Sequence, residues 1–440
     1  KTQDPSSIIE PFVQVPNQLQ AIVGEEISFD IQDSTGLSFE IYFGDGDSFS
    51  WSVVEEREEV THTYLEEGTF QVVLSAMGSD GSKDSQSIAV TVRNPRLEHP
   101  ALFSSQMVNF EEHVFIAFEE GSHIIHLSPE REVQFWKTCV NPQNLAIQYD
   151  STSQTYLPQI GVVCDDGMFQ IWSIDGQSIS EIDLGIGSHP TAIIGRDNRW
   201  YIPTMGTAEL ISVHSDIDGN ILDTVSIGTI SDPKGITMNA SGNTLYVPRF
   251  RSIDNEGKIY TFTTNEDSTW SRDEDILLSP DERGDSDNTT GGIPNLLQQI
   301  HISKDGENIH IAMTHANTLR GEFINGLPLT HESTLRAVMS IGVFDEENDL
   351  FIEEVENRKQ LDEKGRIHQI ISDRFDNYLY VLHEGAANIS ILDAHTYQLR
   401  GSVWDLGFAP HAMTFVPYIE STELLIVYSW LSRSIIALEK

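Results

Sequence analysis

Residues 231–250, SDPKGITMNASGNTLYVPRF, read as a polar loop closing on Asp232-Pro233, a first strand over 234–238, a turn over 239–243 and a second strand over 244–248. The same arrangement recurs seven times between His99 and the C-terminus. First strands open at His99-Pro100-Ala101, Asn141-Pro142-Gln143, His189-Pro190-Thr191, Asp232-Pro233-Lys234, Ile293-Pro294-Asn295, Arg366-Ile367-His368 and Ala409-Pro410-His411. An apolar second strand follows each, as in Val114-Phe115-Ile116, Leu245-Tyr246-Val247 and Leu379-Tyr380-Val381. Third strands over 168–172, 209–213, 258–262 and 388–392 follow, and Asp175-Gly176 and Asp218-Gly219 supply tight turns into fourth strands. Seven units of four antiparallel strands predict a seven-bladed β-propeller.

The recurring proline suits the first position of an innermost strand, where no backbone N–H is needed for the ladder. The residue after it opens that strand, so Ala101, Gln143, Thr191, Lys234, Asn295, His368 and His411 are expected to ring one mouth of the central channel. The last unit ends on its third strand, over 434–438. Its fourth is expected from residues 93–97, which would close the ring.

Upstream, residues 1–11 read as a linker or tether, residues 12–93 as a small β-sandwich and residues 94–440 as the propeller. Phe43-Gly44-Asp45-Gly46-Asp47, Thr61-His62-Thr63-Tyr64 and Gly68-Thr69-Phe70 resemble, in order and spacing, the F-G-D-G, H-x-Y and G-x-Y/F signatures of PKD domains. Ile41 and Tyr42 stand where that family usually has a tryptophan. The resemblance implies an immunoglobulin-like sandwich that serves as a spacer or interaction module on an exported protein. Asp45 and Asp47 also offer carboxylates to a calcium ion.

The propeller resembles YVTN-type repeat proteins of the quinoprotein amine dehydrogenase and lactonase-like superfamily. Ile293-Pro294-Asn295-Leu296, Ser303-Lys304-Asp305-Gly306, Leu319-Arg320-Gly321 and Leu335-Arg336-Ala337 are similar to the P-N-Y-L, S-P-D-G, R-G and V-R-A elements of exported propellers that accompany di-haem peroxidase-like modules. Leu296 replaces the favoured tyrosine. The chain has no C-x-x-C-H for covalent haem attachment.

Charge narrows the partners. With 26 Lys and Arg against 68 Asp and Glu, the formal net charge is −42, which repels nucleic acid and anionic membranes. No run of 18 apolar residues could form a transmembrane helix. The sequence starts at Lys1 without a leader, so an export signal is expected to have been removed or never present; a lipid anchor or a membrane-protein partner stays open. Cys139 and Cys164 are the only cysteines, either a disulfide pair or two thiols.

The candidate ligand site is the mouth ring, with Gln143, Thr191, Lys234, Asn295, His368 and His411 as its polar members. His368 and His411, on neighbouring blades, could share a metal ion, with His189 or His383 nearby. Arg320 and Arg336 could capture an anionic group, or anchor their loop by pairing with acidic residues. Asp285 and Asp287, beside Asn288, offer oxygen ligands to calcium, although no EF-hand pattern surrounds them. There is no G-x-S-x-G elbow, no H-E-x-x-H and no Gly-rich phosphate loop. The expected function is a non-enzymatic binding protein, at the cell surface or in the periplasm, presenting a small molecule, glycan or protein partner at the channel mouth. The rivals are an oxidoreductase accessory or lactonase-like enzyme working with a metal or a haem protein, and an adhesion or matrix protein.

Overall fold

The computed structural model describes residues 11–12, 18–24, 26–31, 34–52, 59–65, 68–93, 101–148, 158–265, 269–283, 291–318, 320–328, 334–345, 350–361, 364–373, 375–417 and 423–439. The chain divides into two compact units, Lys1–Arg96 and Leu97–Lys440.

In the first unit a five-stranded sheet runs in the order Gln18–Ile22, Lys83–Arg93, Gly68–Met77, Ser38–Tyr42 and Ser48–Ser52, with a second sheet of Glu26–Asp30 and Glu59–Thr63. Strand alternation sends Ile41, Val72, Leu74 and Val90 into one core with Phe29, Phe43, Trp51 and Tyr64. Gly44 has φ +88°, and a Cβ there would meet the Gln71 backbone at 2.8 Å, so the turn takes only glycine. His62 stacks on Phe43 with ring centroids 3.9 Å apart and bonds Asp45 at 2.7 Å, while the Tyr64 hydroxyl donates to the Phe43 carbonyl at 3.0 Å. The signature residues thus tie the corner of the sandwich together.

The second unit is a seven-bladed β-propeller. Its innermost strands are Met107–Phe110, Pro142–Gln148, Ile194–Arg196, Thr237–Met238, Ile293–Ile302, Ile367–Ser372 and Pro410–Pro417, which open blades one to seven in chain order. Each blade buries both faces against its neighbours, so its middle strands are mostly apolar and lack the in-out alternation of a half-exposed sheet, as in Thr244–Pro248, where every residue is buried. Seven apolar clusters follow one another around the ring. The last, where Met107, Val114 and Ile116 of blade one meet Ala412, Val416 and Tyr428 of blade seven, closes it. Inner-strand side chains add polar ties between blades: Gln299 accepts from the Ile370 N–H at 2.6 Å, Gln369 accepts from the Met413 N–H at 2.7 Å, and Thr237 donates to the Ile300 carbonyl at 2.7 Å. These bonds satisfy backbone groups at the inner edges of the sheets.

Two expectations about ring closure are corrected. Arg93 is the last residue of the sandwich strand Lys83–Arg93, paired with Ile22, and residues 94–97 lie outside the described residues. Blade seven has three strands among the described residues, Pro410–Pro417, Glu423–Ser429 and Ser434–Glu439. The inner strand of blade one begins at Met107 rather than at Ala101. Leu102–Phe103 instead pairs antiparallel with Thr237–Met238 of blade four, Ser104 bonds Ile236, and Ser105 bridges to Leu145 of blade two. Residues 101–105 therefore run up the channel as an additional inner strand. Blade four has only two residues in its own inner strand, and Leu102 packs into the apolar cluster between blades three and four while Phe103 packs across the channel into the one between blades six and seven.

Candidate ligand site

The channel mouth is built by a repeated backbone device. In blades two, six and seven the inner strand carries one extra residue, with the register shifting between Pro142 and Asn144, Ile367 and Gln369, and Pro410 and Ala412. The residues left over are Gln143, His368 and His411. Such a bulge re-aims its side chain out of the ladder, here into the channel. Just before the proline, Asn141, His189, Asp232 and Ala409 all adopt left-handed φ, between 45° and 54°. This conformation is uncommon outside glycine and sets the angle at which each inner strand enters.

Gln143, Thr191, Lys234, His368 and His411 line one cavity of about 50 Å³, floored by residues 104–106 where the channel strand ends. Space on this scale admits a few waters or a group the size of a carboxylate. Ala101 is not part of it and packs against the apolar cluster between blades four and five, while Gln106 stands in the blade-one position. Asn295 is also displaced. Its side-chain oxygen accepts from the Ser252 and Leu296 N–H groups, both at 3.0 Å. Blade five has a wider irregularity, from the Asn295–Thr314 pair to the Gln299–Ala312 pair with Leu296 at φ +50°, and this brings Gln298 to the cavity instead.

The two histidines lie against each other, with ring centroids 3.7 Å apart and ring planes tilted by 40°. His411 Nδ1 bonds Glu384 Oε1 at 3.2 Å, and His368 Nδ1 lies 3.9 Å from Glu384 Oε2 without a hydrogen-bond partner. Arg366 pairs with the same carboxylate. Turned with its amide oxygen toward Arg366, Gln298 accepts from Nε at 3.2 Å and Nη1 at 3.1 Å. Burial works to raise the Glu384 carboxyl, but the His411 hydrogen bond and the Arg366 charge outweigh it and hold the group at about 2. Burial, and then the charges of His411, Arg366 and Lys234, push His368 well below the usual histidine value. Glu384 and Arg366 were not among the residues anticipated. One signal was available: strands run antiparallel, so the residue after the second strand of a blade returns to the mouth where its first strand began.

Lys234 is half-buried, and among the described residues its ammonium has no ion pair or hydrogen bond. Burial and then Arg366 lower its pKa, against Glu119, Glu384 and Asp232. Those three carboxylates have contacts of their own: Glu119 with Gln106 Nε2 at 2.5 Å, Glu384 with Arg366 and His411, and Asp232 with Arg251 at 2.7 Å.

The remaining candidates lie elsewhere. His189 bonds Asp165 at 2.9 Å and His383 bonds Ser390 at 3.0 Å, so neither joins the histidine pair. Arg320 donates to the Pro328 carbonyl at 2.9 Å and Arg336 to Gln360 at 3.5 Å, and neither lines the mouth cavity. Asp285 and Asp287 lie outside the described residues. Cys139 and Cys164 form a disulfide that ties the entry of blade two to the end of its second strand.

Residues 13–92 match the PKD domain family. No curated protein matches the chain in sequence. Among solved structures, Kuenenia stuttgartiensis hydrazine synthase is similar with a TM-score of 0.56 and 13% identity, covering 75% of this chain and 92% of that one. Virginiamycin B lyase from Staphylococcus aureus aligns with a TM-score of 0.48 and 12% identity, over 78% and 100% of the two chains. BamB from Moraxella catarrhalis aligns with a TM-score of 0.41 and 11% identity, over 79% and 98%. Identities this low speak to fold alone. The chain is a PKD domain followed by a seven-bladed β-propeller.

Proposed function

We propose that the protein is an exported binding protein that docks a protein partner on the mouth face of its propeller. One observation carries this reading: the distribution of exposed apolar side chains on the blade-connecting loops. On the mouth side, Ile186, Ile253, Phe323, Ile324, Phe408 and Leu431 all project into solvent, with Phe408 at 75% and Ile324 at 64% exposure. On the loops of the opposite side, Ile217 is the one large apolar residue so exposed among the described residues. Apolar side chains gathered on one face around a polar cavity are the usual composition of a docking surface. A net charge of −42 disfavours a second copy of the same chain as the occupant. Export is supported by the PKD domain and by a disulfide of the kind that persists in oxidising compartments.

The test uses the full chain with Phe323, Ile324 and Phe408 replaced together by serine, beside a control with Ile217→Ser. Proteins that co-purify with the wild type from producing cells are expected to be retained by the control and lost from the triple variant. Unchanged co-purification by the triple variant would overturn the reading.

A second reading is favoured by His368, Glu384 and His411, whose ligand atoms lie within 4.8 Å of one another. Two imidazoles and a carboxylate suit zinc or iron, and such an ion would serve an enzymatic or redox role. It would have to displace Arg366 from Glu384 and sit beside Lys234. Titration of the protein with zinc decides this: a single tight site lost on His368→Ala would support it, and absence of binding would count against it.

A further inference from the structure

The least expected charge in the mouth is Lys234. Acidic residues outnumber basic ones by more than two to one in this chain, and the neighbouring cations have partners of their own: Arg366 with Glu384, Arg251 with Asp232, and Arg249 with the Ile253 and Glu256 carbonyls. Lys234 alone of this group points into the cavity without a carboxylate contact. A half-buried ammonium left this way forgoes water on one side and gains no counter-charge on the other, which is costly unless something else supplies it.

The walls around it are suited to the same task. No acidic residue lines the cavity among the described residues. Gln143, Thr191 and Gln298 are neutral hydrogen-bonding groups, and His368 Nδ1 is buried without a partner. The nearby carboxylates, Glu119 and Glu384, are held by Gln106 and by Arg366 with His411, and so do not reach across to Lys234.

We propose that the mouth cavity is a carboxylate-binding site in which Lys234 supplies the counter-charge and Gln143, Thr191 and His368 the hydrogen-bonding wall. This rests on reading the mouth face as the binding face, and it names the chemistry that face recognises. About 50 Å³ holds a carboxylate head and little more, so the remainder of the ligand lies over the rim. The carboxylate arrives either on a free small acid or on an aspartate or glutamate of a protein partner, and the chemistry at Lys234 is the same for both.

Calorimetry on the full chain distinguishes these sources. The probes are acetate and succinate with acetamide as neutral control, and a blocked pentapeptide with one glutamate between leucine and phenylalanine, beside its glutamine twin. Each is measured on the wild type, Lys234→Met and Lys234→Arg, with circular dichroism verifying that the variants are folded. The expected result is that at least one acid binds the wild type tenfold or more better than its neutral twin, that Lys234→Met abolishes the preference and that Lys234→Arg keeps it. Preference for acetate or succinate identifies a free acid, and preference for the glutamate peptide alone identifies a partner's side chain. The proposal is overturned if no acid binds, or if acids bind Lys234→Met as well as they bind the wild type. A glutamine peptide that binds as tightly as its glutamate twin, with both lost on the Phe323, Ile324 and Phe408 triple variant, would overturn the carboxylate assignment and leave the docking face standing.

Discussion

At the residue scale, burial of polar groups dominates the chemistry. His301, His310 and His383 are buried, and burial above all pushes each from the ordinary value near 6.5 down to about 3. Lys304 and Lys364 add to this for His301 and His383, as does His301 for His310, where Asp305 and Asp376 oppose it. Each is neutral in the folded chain, so below pH 6.5 the unfolded chain takes up more protons. The contribution of the neutral state is complete above pH 6.5 and is lost as pH falls toward 3. These three groups therefore lower the thermal midpoint on acidification from pH 7 to pH 4.5, against the relief of self-repulsion as the net charge falls, and replacing one of them isolates its share of the drop. His383→Gln, which keeps a partner for Ser390, should make that drop shallower; an unchanged slope would contradict the assignment. Arg358 and Glu353 form a fully buried ion pair, and Arg358 also donates to the Ser279 carbonyl at 2.7 Å. Glu353→Gln leaves that guanidinium buried without its counter-charge and should cost about 3 kcal/mol in denaturant unfolding.

At the scale of elements, blades pack where small residues make room for large ones. Trp200 is wholly buried between blades two and three, and a Cβ added at Gly161 would come within 2.5 Å of its ring and one at Gly195 within 2.6 Å. Gly161→Ala should therefore destabilise the propeller by about 1–3 kcal/mol through overpacking, measured as a lower midpoint in denaturant, and Trp200→Phe in the same chain should recover part of it. The inner strands were the most legible elements in the sequence, because a proline after a left-handed residue marks a strand that needs no donor at its first position. Gln143, Thr191, Lys234 and His411 could therefore be placed at one mouth from sequence pattern alone, and His368 by the repeat spacing, since Ile367 stands in the proline's place. Asn295 escaped this reasoning, because the extra residues that follow it shift the register without altering the proline spacing. Ala101 escaped it for a different reason: the pairing of Leu102–Phe103 with blade four spans well over a hundred residues, and no local pattern reports it. Glu384 and Arg366 were missed because their importance lies in contact with the histidines, a property of the assembled ring.

At the scale of the whole molecule, closure and charge act against each other. Seven interblade clusters close the ring, while a net charge of −42 makes the folded chain repel itself. Raising ionic strength should therefore raise the thermal midpoint, through screening of that repulsion. The Cys139–Cys164 disulfide closes a loop of 25 residues, and reduction, or the double replacement of both cysteines by serine, should cost about 3 kcal/mol. The gathering of exposed apolar side chains on the mouth-side loops, seen among the described residues, belongs to this scale too, since no single blade displays it. Photo-crosslinking in the producing cells tests it most directly, with a benzoylphenylalanine placed in turn at Phe323, Phe408 and Ile217. The account predicts crosslinks to one protein partner from Phe323 and Phe408 and none from Ile217; crosslinks from Ile217 with none from the two mouth positions would contradict it.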